Sequence, residues 1–178
     1  MILANQGDAA AAFAHYDAAL AVAPRYADAH YNRGLLLQER GRLDEASEEY
    51  GRALALRSTY VEAHSNLGAV LQARGELGAA QAHLAEAVRL RPDYVPARVN
   101  LGVVLRARGD LAGAILQYTE ALRLDPGSVD AHYDLGNALL QRGDRAGAVG
   151  QYREALRFKP DYEAAQDMLR HALETPSR

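Results

Sequence analysis

The chain has 178 residues, 49% of them hydrophobic and 24% charged, which is enough apolar material to bury a core and too much for a disordered chain. A formal net charge of −3 and the absence of cysteine argue against nucleic-acid and anionic-membrane partners, and remove disulfides, thiolate zinc sites and cysteine nucleophiles. No run of about 18 apolar residues is present, and Met1-Ile2-Leu3-Ala4-Asn5-Gln6 lacks a signal peptide's basic start, so no membrane insertion and a cytoplasmic location are expected.

The first predicted element is a helix over 8–22. Only Met1 to Gln6 precede Gly7, so this helix lacks most of a partner helix and is expected to expose an apolar face. Residues 1–26 thus form a partial unit, followed by four full ones at 27–60, 61–94, 95–128 and 129–162. Each full unit reads as two helices. In 61–94, the stretch 64–74 carries Leu67, Val70 and Leu71 on one helical face, and Gly75 ends it, since glycine adopts φ > 0 without steric cost. A second helix over 78–90 turns Ala80, Leu84, Ala87 and Val88 inward, and Pro92 stops the chain from continuing it. Residues 163–174 form a last, more polar helix that caps the array, and 175–178 are a tail.

The units share one register. Glycine recurs every 34 residues at Gly7, Gly41, Gly75, Gly109 and Gly143, and alanine at Ala12, Ala46, Ala80, Ala114 and Ala148. A second alanine column runs through Ala19, Ala53, Ala87, Ala121 and Ala155, and an aromatic slot holds Tyr16, Tyr50, Tyr118 and Tyr152, with Leu84 as the substitute. One hairpin of this size cannot bury its apolar face alone, so neighbouring units must stack. Small residues such as Gly68, Ala80 and Ala87 let the paired helices approach closely. The expected fold class is therefore all-α, a single solenoid of antiparallel helix pairs over 1–178.

The pattern Leu-Gly-x-x-Leu, Gly, Ala-x-x-x-Tyr-x-x-Ala, Pro resembles the tetratricopeptide repeat family over nearly the whole chain. The resemblance implies a right-handed superhelix of about five repeats with a C-terminal capping helix. Two departures stand out. His30, His64, Arg98 and His132 occupy the slot of a large aromatic, and Arg33 replaces a leucine.

In this family the first helices of successive repeats line a concave groove where partners lie. The resemblance implies groove positions at Tyr31, Asn32, Leu35 and Gln38; at Ser65, Asn66, Ala69 and Gln72; at Val99, Asn100, Val103 and Arg106; and at Tyr133, Asp134, Asn137 and Gln141. The column Asn32, Asn66, Asn100 is the sharpest signal. A primary amide donates and accepts, so it pairs with a peptide bond whatever the peptide's side chains. The column is similar to the repeats of the O-linked N-acetylglucosamine transferase family, in which asparagines hold substrate backbones; Asp134 breaks it at the fourth unit and suits a basic side chain. Asparagine in a first helical turn also bonds neighbouring backbone, so a purely structural column is the competing reading. Tyr31, Leu35, Val99, Val103 and Tyr133 stand between seating partner side chains and packing between repeats. Chaperone-tail binding, which needs cations on these helices, is disfavoured by Asp28, Glu62 and Pro96 at those places.

Other columns resemble chemistry only superficially. Equivalent points on stacked units are at least about 8–10 Å apart, so His30, His64 and His132 cannot share a metal ion; they are expected to pack in place of the aromatic. His15 and His83 read as surface residues. Arg40, Arg74, Arg108 and Arg142 complement the negative ends of the first helices, or form a basic stripe. Tyr26, Tyr60, Tyr94 and Tyr162 are expected to pack at the joints between repeats. No catalytic arrangement, metal site or cofactor is expected. Three readings follow: a scaffold binding an extended peptide segment, the substrate-recruiting arm of a glycosyltransferase or other multidomain enzyme, and a structural protein that self-associates through its N-terminal helix.

Overall fold

The computed structural model describes residues 6–174. The expectations for residues 1–5 and the 175–178 tail lie outside them. Ten helices and no strand occur among the described residues, so the all-α repeat class holds. They fall into two compact units, one reaching to Arg91 and the other beginning at Pro92. The first holds α1 (Gln6–Val22), α2 (Ala27–Glu39), α3 (Leu43–Leu56), α4 (Val61–Ala73) and α5 (Leu77–Leu90). The second holds α6 (Val95–Ala107), α7 (Leu111–Leu124), α8 (Val129–Gln141), α9 (Arg145–Phe158) and α10 (Glu163–Glu174). The pairs α2/α3, α4/α5, α6/α7 and α8/α9 are the tightest associations. Compared with the expectation for 61–94, α4 begins three residues earlier, because extended Tyr60 takes the N-cap place, and α5 begins at Leu77.

Each hairpin is closed the same way. Gly41, Gly75, Gly109 and Gly143 have φ of 71, 80, 87 and 91°. After α2, the Gly41 N–H donates to Gln38 O and the Arg42 N–H to Leu37 O, at 3.0 and 2.9 Å, which satisfies two carbonyls the helix end leaves open. The same pair of bonds follows α4, α6 and α8. The arginine before each glycine is the C-cap residue, and its side chain finds its own partners: Arg74 reaches Asp44 and Glu76, and Arg40 lies over the Phe13 ring at 5.5 Å.

Within each pair, one glycine of the first helix receives a large side chain of the second. Tyr50, Leu84, Tyr118 and Tyr152 are 0% exposed and press on Gly34, Gly68, Gly102 and Gly136. A Cβ on Gly102 would stand 2.5 Å from Tyr118 Cε1, so the helices reach this separation only without a side chain there. The flanking alanines of both columns, from Ala46 to Ala155, are likewise fully buried.

A second periodic device is polar, and it corrects the sequence expectation for the histidines. His30, His64 and His132 are buried, yet they do not simply pack as the aromatic would. One ring nitrogen of each meets a backbone carbonyl six residues back: Pro24 O at 3.3 Å, Ser58 O at 3.0 Å and Pro126 O at 3.0 Å. The other nitrogen meets a side chain 19 residues on, namely Glu49 at 2.6 Å, His83 at 3.0 Å and Gln151 at 2.8 Å. Arg98 repeats the scheme with Pro92 O at 2.7 Å and Gln117 Oε1 at 3.0 Å. An aromatic side chain fills this space but cannot tie the preceding turn to the second helix; a two-ended polar group does both. His83 is accordingly half-buried and bonded rather than a surface residue, while His15 is exposed. Arg33, in its leucine's place, donates to the buried Glu49 at 2.7 Å.

The terminal helices differ. Ala12, Tyr16 and Ala19 of α1 remain half-exposed, although their counterparts in every later second helix are 0% exposed. In α10, Arg170 stands where Gly34, Gly68, Gly102 and Gly136 admit the large side chain of a following helix.

Candidate functional site

In the first unit the column residues lie on α2 and α4. Asn32, Leu35, Gln38, Asn66, Ala69 and Gln72 are all half-exposed, and Ser65 is buried. Tyr31 is held in an aromatic cluster, its ring 5.8 Å from Tyr50 and 4.8 Å from Tyr60, so its face is spent on packing. Asn66 Nδ2 donates to the Tyr31 hydroxyl at 3.1 Å, and Tyr50 donates to Gln38 Oε1 at 2.7 Å. Asn32 has no hydrogen-bond partner among the described residues. Tyr60 packs back on Tyr31 of its own repeat, and Tyr26 is 50% exposed and so does not pack at a joint.

In the second unit the column lies on α6 and α8. Val99 is buried; Asn100, Val103, Arg106, Tyr133, Asp134 and Asn137 are half-exposed; Gln141 is exposed at the end of α8. Asn100 has no hydrogen-bond partner among the described residues, and with Val99 it borders a hollow of about 320 Å³. Tyr133 repeats the role of Tyr31, with its ring 6.1 Å from Tyr152 and 5.1 Å from Tyr162. Tyr152 donates to Asn137 Oδ1 at 2.9 Å, and burial followed by the neighbouring Tyr133 pushes its phenol up to about 12.

One substitution in the column leaves a trace. Arg106 occupies the place that Gln38 holds beside Tyr50. A guanidinium offers no acceptor, so the Tyr118 hydroxyl, buried like that of Tyr50, has nothing there to donate to, and neither it nor Arg106 Nε makes a well-formed hydrogen bond. Burial also raises the carboxyl pKa of Asp134, against the opposing pull of Arg106 and a hydrogen bond from Asn137. The aspartate therefore differs from the asparagines in more than hydrogen-bond capacity, because its charge is poorly solvated.

Asp28 and Glu62 stand where a chaperone-tail site would place cations. Asp28 and Glu62 are instead paired with Arg57 at 2.8 Å and Arg91 at 2.6 Å. No three histidine or acidic side chains converge as metal ligands among the described residues. None of the described helices is long and apolar enough to cross a membrane. What the two columns can offer is half-exposed amides set among apolar side chains, which is chemistry for recognition of polypeptide.

Sequence reasoning missed two features. The pairing of His64 with His83 was visible only as a spacing of 19 residues shared with His30–Glu49 and His132–Gln151. The hollow beside Asn100 was signalled by a break in the Asp28–Arg57 and Glu62–Arg91 pattern, where Pro96 and Asp125 stand instead.

Family models described as tetratricopeptide repeat match residues 15–47, 61–91 and 129–162, and a further TPR repeat model matches 37–75 and 102–143. No curated protein matches the chain. Among solved structures, MamA is similar at 27% identity and a TM-score of 0.78, over 87% of this chain and 91% of that one. YrrB, described as a TPR protein with an unusual peptide-binding site, is similar at 27% identity and 0.77, over 95% of this chain and 85% of its own. A TPR protein of Thermus thermophilus shares the fold at 23% identity and 0.76, over 95% and 92%. The shared glycine seats, hairpin closures and model matches together make residues 15–91 and 102–162 of this chain tetratricopeptide repeats.

Proposed function

We propose that the chain is a protein-interaction scaffold in which the column residues of each unit hold extended polypeptide of a partner through its backbone. The observation that carries this reading is the state of Asn32 and Asn100. Both are half-exposed primary amides at equivalent repeat positions, without a hydrogen-bond partner among the described residues, so donor and acceptor remain open to a peptide bond. Asn66, by contrast, is committed to Tyr31, so it contributes rigidity rather than a contact. The half-exposed Leu35 and Val103 lie one turn on from Asn32 and Asn100 and would seat alternate side chains of the bound strand. Support comes also from the similarity to YrrB, a TPR protein described as having a peptide-binding site. A substrate-recruiting role in a larger enzyme is one setting for the same binding chemistry.

The test is backbone methylation. Fluorescein-labelled nonapeptides of mixed uncharged sequence should bind the chain, and N-methylation of alternate peptide bonds should weaken them by about fivefold per lost hydrogen bond. Equal binding of methylated and unmethylated peptides would reject backbone recognition.

A second reading rests on α1, whose Ala12, Tyr16 and Ala19 are uncovered. Two copies could bury these faces on each other. Arg170 makes α10 an unsuitable partner for α1, so the association would be α1 to α1 and stop at a dimer. A light-scattering mass that stays at one chain across a wide concentration range removes this reading.

A further inference from the structure

In the repeats 27–60 and 61–94 an acidic residue at the second position is paired with an arginine 29 residues later: Asp28 with Arg57 and Glu62 with Arg91. The repeat 95–128 has neither partner. Pro96 takes the place of the acid and Asp125 that of the arginine. The reversal puts a carboxylate where the pattern calls for a cation, and it does so at the rim of the hollow of about 320 Å³ next to Asn100. Val95, Pro96 and Val99 of α6 give that hollow an apolar side, while Asp125 and Asp130 close it from the end of α7 and the start of α8. Asp125 Oδ1 accepts from the Gly127 N–H at 3.0 Å, which fixes this carboxylate as part of the turn. Asp130 forms no ion pair among the described residues. Lys159, at the place of Arg57 and Arg91 in the last repeat, is instead over the Tyr162 ring at 5.2 Å. The hollow therefore combines an apolar wall, a free amide and two carboxylates, with no cation of its own lining it.

Resting on the reading that an extended peptide lies along the column, we infer that this hollow receives a lysine or arginine side chain of the bound segment. The aliphatic stem packs on Val95, Pro96 and Val99, as long cationic side chains do on apolar surface. The charged head reaches Asp125 and Asp130, supplying the cation that the repeat pattern lacks there. Asn100 holds the backbone of the same segment. Both carboxylates are exposed, so the contribution is to selectivity more than to affinity.

The experiment uses the full chain and four fluorescein-labelled nonapeptide pools, with Lys, Arg, Gln or Glu fixed at the centre and uncharged residues elsewhere. The Lys and Arg pools should bind about three- to fivefold more tightly than the Gln pool, the upper part of the range for exposed ion pairs, and the Glu pool more weakly. The variant carrying Asp125→Asn and Asp130→Asn, whose amide oxygen at position 125 still accepts from the Gly127 N–H, should bind the Gln pool unchanged and lose the preference. Asp130→Asn alone should lose part of it, which guards against a folding defect in the double variant. Equal affinity for the Lys and Gln pools, or a preference that survives in the double variant, overturns this inference and leaves peptide binding intact. Failure of every pool to bind overturns both.

Discussion

Nδ1 of His64 lies 3.0 Å from Nδ1 of His83. The other nitrogen of His64 faces the Ser58 carbonyl at 3.0 Å, and a carbonyl only accepts, so the His64 proton sits on Nε2. Its Nδ1 must then accept, and the proton between the rings belongs to His83. A second proton on His64 would set two N–H groups against each other and break the bond that ties α4 to α5.

This arrangement makes the first unit acid-sensitive. Burial, followed by the neighbouring His64, holds the His83 pKa below its ordinary value of 6.5. Unfolded His83 therefore binds its proton at a higher pH than folded His83 does. The associated stability is complete above about pH 6.5 and is lost as pH falls through the folded pKa. Thermal unfolding followed by circular dichroism should show Tm falling from pH 7 to pH 5 by ~2–4 °C per 1 kcal/mol of lost stability. His83→Gln, which installs the residue found at Gln117 and Gln151, should flatten that slope.

Gly102 is the tightest test of the helix seat. Gly102→Ala places a methyl group against the ring of the fully buried Tyr118, and overpacking of this kind costs about 1–3 kcal/mol. Gly51→Ala, where a Cβ meets nothing within 4 Å, should instead be neutral or stabilising in urea unfolding.

The two-ended polar bridge predicts a cost that apolar packing does not. His132→Leu leaves the Pro126 carbonyl without its donor and the Gln151 side-chain amide without its ring-nitrogen partner, which should lower stability by about 2 kcal/mol. His132→Gln, able to satisfy one of the two, should lose less. Urea midpoints of the two variants decide the matter.

Asp134 is expected to destabilise the fold at neutral pH. Its carboxyl pKa is raised by burial, so folding favours the protonated form, and that contribution fades as pH rises through the folded pKa, leaving a poorly solvated charge at neutral pH. Asp134→Asn, matching Asn32, Asn66 and Asn100, should raise Tm at pH 7 by ~2–4 °C, and the gain should shrink below about pH 4.

Much of the fold was legible because its causes are local. The four recurring glycines report the positive φ of the hairpin ends, and the buried alanine and tyrosine columns report the face that α3, α5, α7 and α9 must bury. The histidine column is less legible. Its slot is shared with aromatics elsewhere in the family, and nothing in one residue's identity says that its two nitrogens meet a carbonyl behind and a side chain ahead. The asparagine column divides for a similar reason: Asn66 is bonded because the residue 35 places earlier is Tyr31, whereas the same place before Asn100 is Ser65, a difference between neighbouring repeats and not within one.

Asn32 and Asn100 are the groups proposed to hold a peptide backbone. The direct measurement compares binding of the uncharged nonapeptide pool by the wild-type chain and by the Asn32→Ala, Asn100→Ala variant, after equal Tm values show both to be folded. A loss of about fivefold per amide is expected with stability unchanged, since neither side chain bonds another part of the fold. Unchanged affinity, or a fall in Tm with no specific loss of binding, would contradict it.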